Sequence, residues 1–152
     1  MAEPTKIDFQ HRRVNRISDF TELMEMLFPD NRNQQHAASC IFFELKWADS
    51  IVPNLGCIQS KYSVSRRILQ RTRAKLSRLG LIEHVSRLNS RYGGRHGWKM
   101  SRRFELSMNE LARTCTALKD MKRASKEKEQ MLIQFADARR QHSEGTRSKI
   151  KV

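Results

Sequence analysis

The chain has 152 residues, 38% of them hydrophobic and 30% charged, with 30 Lys and Arg against 16 Asp and Glu and a formal net charge of +14. That is room for one ordinary domain plus an extension, and a charge so large points to a polyanionic partner, either nucleic acid or an anionic membrane surface. No apolar run approaches the ~20 residues that cross a bilayer, the opening MAEPTKIDFQ lacks the apolar stretch of a secretory signal, and Cys40, Cys57 and Cys115 form no CxxC pair, so an intracellular chain with reduced thiols is expected.

Residues 1–17 mix Pro4 with His11, Arg12, Arg13 and Arg16 and show no period, so they read as a flexible basic arm. Asp19 is a plausible cap for a helix over 20–28, with Phe20, Leu23, Met24, Leu27 and Phe28 on one face and Pro29 just past the end. A second helix is predicted from about Asn33 to Ala48, with Ala37, Cys40, Ile41, Leu45 and also Phe43 inward, and Glu44 and Lys46 outward. Pro53, Asn54 and Gly56 break up residues 49–60; a loop, a short strand around Ile51 or one brief helical turn all suit them.

The next helix, capped by Ser63 or Ser65, runs to Leu79 and stops at Gly80. At about 100° per residue, Val64, Ile68, Leu69, Thr72, Leu76 and Leu79 fall in one arc, and Arg66, Arg67, Gln70, Arg73, Ala74, Ser77 and Arg78 in the opposite one. Half of this helix is core and half is an arginine-rich ridge. After Gly80 the period shortens: residues 81–86 and Trp98 to Leu106 read as two strands. The Gly93-Gly94 reversal between them gives a β-hairpin with a basic tip at Arg91, Tyr92, Arg95 and His96. Ser107 with Glu110 forms a capping box that opens a long helix to Gln141, about 51 Å for ~34 residues. Leu111, Leu118 and Leu132 share a heptad phase along it. Residues 142–152 carry no structure signal and read as a basic disordered tail.

The charge is not evenly spread. Residues 1–60 carry 6 basic and 8 acidic side chains, residues 104–152 carry 11 and 7, and residues 61–103 carry 13 basic side chains against Glu83 alone. Solvated surfaces ordinarily mix signs, so this middle segment is the expected seat of the polyanion.

A third amphipathic helix ending in Leu76-Ser77-Arg78-Leu79-Gly80-Leu81-Ile82, followed by a basic-tipped hairpin, resembles the winged helix–turn–helix family. The resemblance spans roughly residues 18–106, departs from the family pattern at 49–62, and implies that family's fold and DNA binding. The expected architecture is therefore mainly α with a small β-hairpin wing: an arm over 1–17, a winged helix–turn–helix domain over 18–106, a long helix over 107–141 and a tail over 142–152.

The chemistry of the residues agrees independently. An α-helix fits the major groove, where Arg pairs with guanine and Gln with adenine. The N-terminal half of such a helix enters deepest, which singles out Arg66, Arg67, Gln70 and Arg73, with Arg71 and Lys61 beside them. Ser63 and Ser65 can donate to phosphate, and Arg91, Tyr92, Arg95 and His96 on the hairpin tip would reach an adjacent groove or backbone. The long helix resembles the dimerisation helix attached to many such domains, with Leu118, Leu132 and Phe135 as contacts. A dimer would set two reading helices about 34 Å apart.

The pair His36-x-x-x-Cys40 has helical metal-ligand spacing but no third ligand. No P-loop, dinucleotide fingerprint or deaminase signature is present, and Tyr62 or Tyr92 as a nucleophile would lack a base. The expectation is thus a non-enzymatic, cytoplasmic, nucleoid-associated homodimer on double-stranded DNA, a sequence-specific transcription regulator with no cofactor and no metal. The alternative is a non-sequence-specific nucleic-acid-binding protein of chromatin, plasmid partition or replication, or RNA, acting through phosphates.

Overall fold

A computed structural model describes residues 5–86, 93–120 and 125–150, and the side chains up to residue 144. Among these residues the chain is mainly helical with one small two-stranded antiparallel hairpin. In chain order they form α1 (His11–Val14), α2 (Phe20–Leu27), α3 (Arg32–Lys46), α4 (Gly56–Tyr62), α5 (Arg66–Leu79), β1 (Ile82–Val85), β2 (Gly97–Met100), α6 (Arg103–Lys119) and α7 (Lys126–Ile150). The chain divides into two compact units, Met1–Ser107 and Met108–Val152. No described helix is long and apolar enough to cross a membrane.

The first unit is built on α3. Asn31 caps it by accepting from the Gln34 amide at 3.0 Å, and its buried face (Ala37, Ala38, Cys40, Ile41, Leu45) packs against α2 on one side and α5 on the other. Asp19 caps α2, accepting from the Glu22 amide at 3.0 Å. That bond and the Thr21 hydroxyl, which contributes most, hold the Asp19 carboxyl below its ordinary range. Met24, Leu27, Phe28, Ile41, Ile58, Leu76 and Ile82 form the fully enclosed centre of the core. Phe43, expected inward, is exposed: the inward arc of α3 is already filled by Ala38 and Ile41, and Phe42 takes the aromatic contact by stacking on Phe20 at 5.3 Å.

The arm is not loose over its described part. The Asp8 amide donates to the Met26 carbonyl at 2.9 Å, Arg13 pairs with Asp8 at 2.6 Å, and Ile7 and Ile17 pack on the core. Residues 49–60, expected as a loop, a short strand around Ile51 or one brief helical turn, hold an isolated bridge at Val52 and most of a helix longer than one turn, Gly56–Tyr62. Val52 exchanges hydrogen bonds with Trp98, at 3.0 and 2.7 Å, and so adds a one-residue rung beside β2; α4 follows as two short turns.

The hairpin pairs Ile82 with Met100, Glu83 with Lys99, His84 with Trp98 and Val85 with Gly97. Gly97 has φ +146°, and a Cβ there would overlap the Val52 carbonyl, so only glycine lets the rung close. The second strand stops at Met100 and does not continue to Leu106. The Ser101 hydroxyl accepts from the Arg103 amide at 3.2 Å, and the Gly80 carbonyl accepts from the Phe104 amide at 3.0 Å. These bonds start a helix at Arg103, four residues before the expected capping box. Gly80 makes that junction possible: its φ is +84°, and a Cβ would meet the Arg103 Cβ at 2.8 Å and the Phe104 nitrogen at 2.9 Å.

The predicted single helix to Gln141 is two helices in the structure, α6 ending at Lys119 and α7 beginning at Lys126. The latter runs through residues 142–150, expected to lack regular structure. Within the second unit Leu111, Leu118, Met131, Leu132, Ile133 and Phe135 are all exposed.

Candidate nucleic-acid interface

The interface is assembled around a tight turn. Ser63 closes α4 in the left-handed conformation (φ +54°), Val64 is buried, and Ser65 caps α5 by accepting from the Ile68 amide at 3.3 Å. Three residues thus separate one helix from the next, and buried Val64 anchors the start of α5 on the core. Leu69, Thr72 and Leu76 are buried and Ile68 and Leu79 half-buried, which is the arc the helical period predicts. Arg66, Arg67, Gln70, Arg71, Ala74, Ser77 and Arg78 are exposed.

What distinguishes this face is the disposition of acids. Glu83, the only carboxylate in 61–103, receives Lys99 at 3.1 Å, Arg103 at 3.4 Å and the Ser101 hydroxyl at 3.4 Å. Among the described residues no carboxylate lies within 4.0 Å of Arg66, Arg67, Arg71, Arg73, Arg78 or Arg95. The ridge therefore carries uncompensated positive charge beside Ala74 and Ser77, which are small enough to let another molecule approach closely.

Three basic residues are placed differently from the ridge. Lys61 donates to Glu44 at 2.7 Å and Tyr62 to the same carboxylate oxygen at 2.5 Å, tying α4 to α3. The bond from Lys61, then that from Tyr62, holds the Glu44 carboxyl below its ordinary range, while the same partnership raises both Lys61 and Tyr62. Glu44, read as outward-facing, is thus half-buried and engaged, and the charge of Lys61 is shared with it. Lys75 lies on the far side of α5, 4.6 Å over the Phe28 ring and donating to the Lys6 carbonyl at 2.6 Å. Burial, then the nearby Arg78 charge, lowers its pKa.

Arg73 is the third. It is half-buried, with its guanidinium 5.1 Å from the centre of the Trp98 ring, so it leaves the open ridge for the angle between α5 and the hairpin. On the hairpin Arg95 is exposed and His96 half-buried; Arg91 and Tyr92 lie outside the described residues.

Trp98 is the functional candidate that sequence reasoning missed. The sequence placed it only in phase along a strand, and no local signal relates it to a residue 25 positions earlier. Arg78 is the other addition, present on the ridge arc and fully consistent with it. The candidate dimer contacts Leu118, Leu132 and Phe135 are exposed on α6 and α7. His36 approaches the Cys40 sulfur at 3.7 Å, and burial, then Glu44, raises the Cys40 thiol; the described residues contain no group of three metal-ligating side chains. No family model, no curated protein and no solved structure matches this chain.

Proposed function

We propose that the chain is a dimeric double-stranded DNA-binding protein of the winged helix–turn–helix type, a non-enzymatic, sequence-specific transcription regulator. It reads the major groove with α5 and an adjacent groove or backbone with the hairpin. The observation that carries this reading is the acid-free outer face of α5, held by a three-residue turn on a closed core and flanked by a basic hairpin. A helix of this kind presents donors to base edges from its first turns, Arg66, Arg67 and Gln70, and to phosphates from its rim, Arg71 and Arg78. The exposed apolar side chains of α6 and α7 support pairing of two copies through the C-terminal region.

The test is fluorescence anisotropy of a labelled random duplex and a matched single strand, titrated across salt, with light scattering for mass. Duplex binding by a dimer, falling steeply with salt, is the expected result. Equal or tighter binding to the single strand, or none at low salt, refutes it.

One observation favours a second reading. Arginines surround a single amide, Gln70, on the exposed ridge, and phosphate contacts alone would suit that composition, as in a chromatin-like or plasmid-maintenance protein. Selection from a random duplex pool separates the two. For a specific reader, Arg67→Ala and Gln70→Ala each relax preference at one position by about 1–3 kcal/mol, whereas Arg95→Ala weakens all sequences alike. Uniform weakening by all three leaves the phosphate-only reading.

A further inference from the structure

We infer that Trp98 is a positioning residue for Arg73, holding that guanidinium ready for a DNA backbone phosphate at the junction of α5 and the hairpin; this rests on the DNA-binding reading above. Several other cations are secured by acids, Arg13 on Asp8 and Glu25, Lys61 on Glu44, Lys99 and Arg103 on Glu83, and Lys75 by the Phe28 ring together with the Lys6 carbonyl. Arg73 alone among the basic residues of α5 lies over the hairpin's tryptophan. The distinction is chemical. A carboxylate occupies the in-plane N–H donors of a guanidinium and cancels its charge. A ring occupies only the flat face, leaving five donors and the full charge for an anion. None of those donors has a hydrogen-bond or ion-pair partner among the described residues.

The ring is itself fixed. Its backbone is clamped between Val52 and His84 by the Val52 rung and the hairpin register, and the His84 imidazole meets it edge-on at 5.0 Å. Arg73 therefore sits at the end of a stack running from His84 through Trp98 to the reading helix. An arginine immobilised before binding loses less rotamer freedom when it meets phosphate. Its place on the third turn of α5, beside the hairpin and away from the first turns, fits a strand of backbone passing between helix and wing.

Two measurements on the full chain test this. In a Trp47→Phe background Trp98 is the sole tryptophan, and Arg73→Ala is expected to raise its quenching by acrylamide because the ring loses its cover. Equal quenching with and without the guanidinium overturns the stack. In duplex anisotropy across salt, Trp98→Leu and Arg73→Gln are each expected to weaken binding to every sequence by about tenfold and to flatten the log–log salt slope by about 0.9, one phosphate contact. Combining them adds little, and Trp98→Phe, which keeps a ring, restores most of the loss. Arg73→Gln leaves the core intact, so it remains informative even where Trp98→Leu fails to fold. Additive losses, an unchanged salt slope for Arg73→Gln, or a lost base preference at one position overturns the inference while the DNA-binding reading stands. A wild-type chain that binds no duplex at low salt overturns both, even with the stack intact in the quenching measurement.

Discussion

The two units of this chain place their apolar side chains in opposite ways. Up to Ser107, Met24, Leu27, Ile41, Ile58 and Leu76 are enclosed almost completely. Beyond it, Leu118 is 61% exposed on α6, and Leu132 and Phe135 are 65% and 60% exposed on α7. Both units are amphipathic helices in sequence, so the difference lies in topology. In the first unit α3 packs on both α2 and α5, while among the described residues Leu106, Leu111 and Leu118 of α6 and the large apolar side chains of α7 remain exposed. Helices that lack a packed face stand on intrinsic propensity and carry an unfavourable nucleation cost. One unit is then expected to melt cooperatively, and the other to depend on what covers it.

Substitutions in the α5 core face sharpen that contrast most. Leu76→Ala removes a fully enclosed side chain between α5 and its neighbours and is expected to destabilise the first unit by about 2–5 kcal/mol in urea unfolding. Thr72, one turn away, acts in the opposite direction. Its hydroxyl is buried and has no hydrogen-bond partner among the described residues, so Thr72→Val is expected to raise stability by about 1 kcal/mol. A destabilised Thr72→Val chain would mean that the hydroxyl has found a partner in solution.

A smaller effect follows from the tie between α3 and α4. Glu44 sits below its ordinary pKa because Lys61 and Tyr62 bond to its ionised form. Its contribution is therefore complete above the ordinary carboxylate range and is lost as pH falls through the lowered value. Lys61 and Tyr62 are raised by the same bonds, so their contributions are complete below their ordinary values and vanish as pH rises through the raised ones. Glu44→Gln is expected to flatten both limbs of the stability–pH profile, with its largest cost in the neutral plateau. A profile unchanged by the substitution would show that the solvent-screened pair adds nothing.

How far the residues announced this arrangement depends on the range of the interaction that decides each element. The α5 arc, the Asp19 cap and the Gly80 stop are local, carried by a 3.6-residue period and by side chains three or four positions apart, and they were legible. The end of β2 was not. Trp98, Met100, Phe104 and Leu106 alternate like a strand, yet the Gly80 carbonyl, 24 residues upstream of Phe104, takes the amide that starts α6. The docked arm depends on a bond from Asp8 to Met26, and the diversion of Lys61 on Glu44, 17 residues away. Arg73 shows the same limit within the candidate site: the wheel places it on the ridge, and a ring on another element draws it off.

The smallest expected effect is the sharpest test of the comparison. Replacing Leu118, Leu132 and Phe135 together by Asn alters three exposed positions outside the first unit. Surface changes of this kind ordinarily shift stability by no more than about 0.5 kcal/mol, so the main unfolding transition is expected to stay where it is. Mass and helix content should respond instead. If two copies pair through this region, light scattering falls from dimer to monomer and the circular dichroism at 222 nm weakens as α7 loses its cover. An unchanged dimer places the pairing surface elsewhere. A monomer before and after, with constant helix content, makes these helices self-supporting. A lowered main transition would break the comparison itself, because the first unit would then owe part of its stability to side chains that its own core does not enclose.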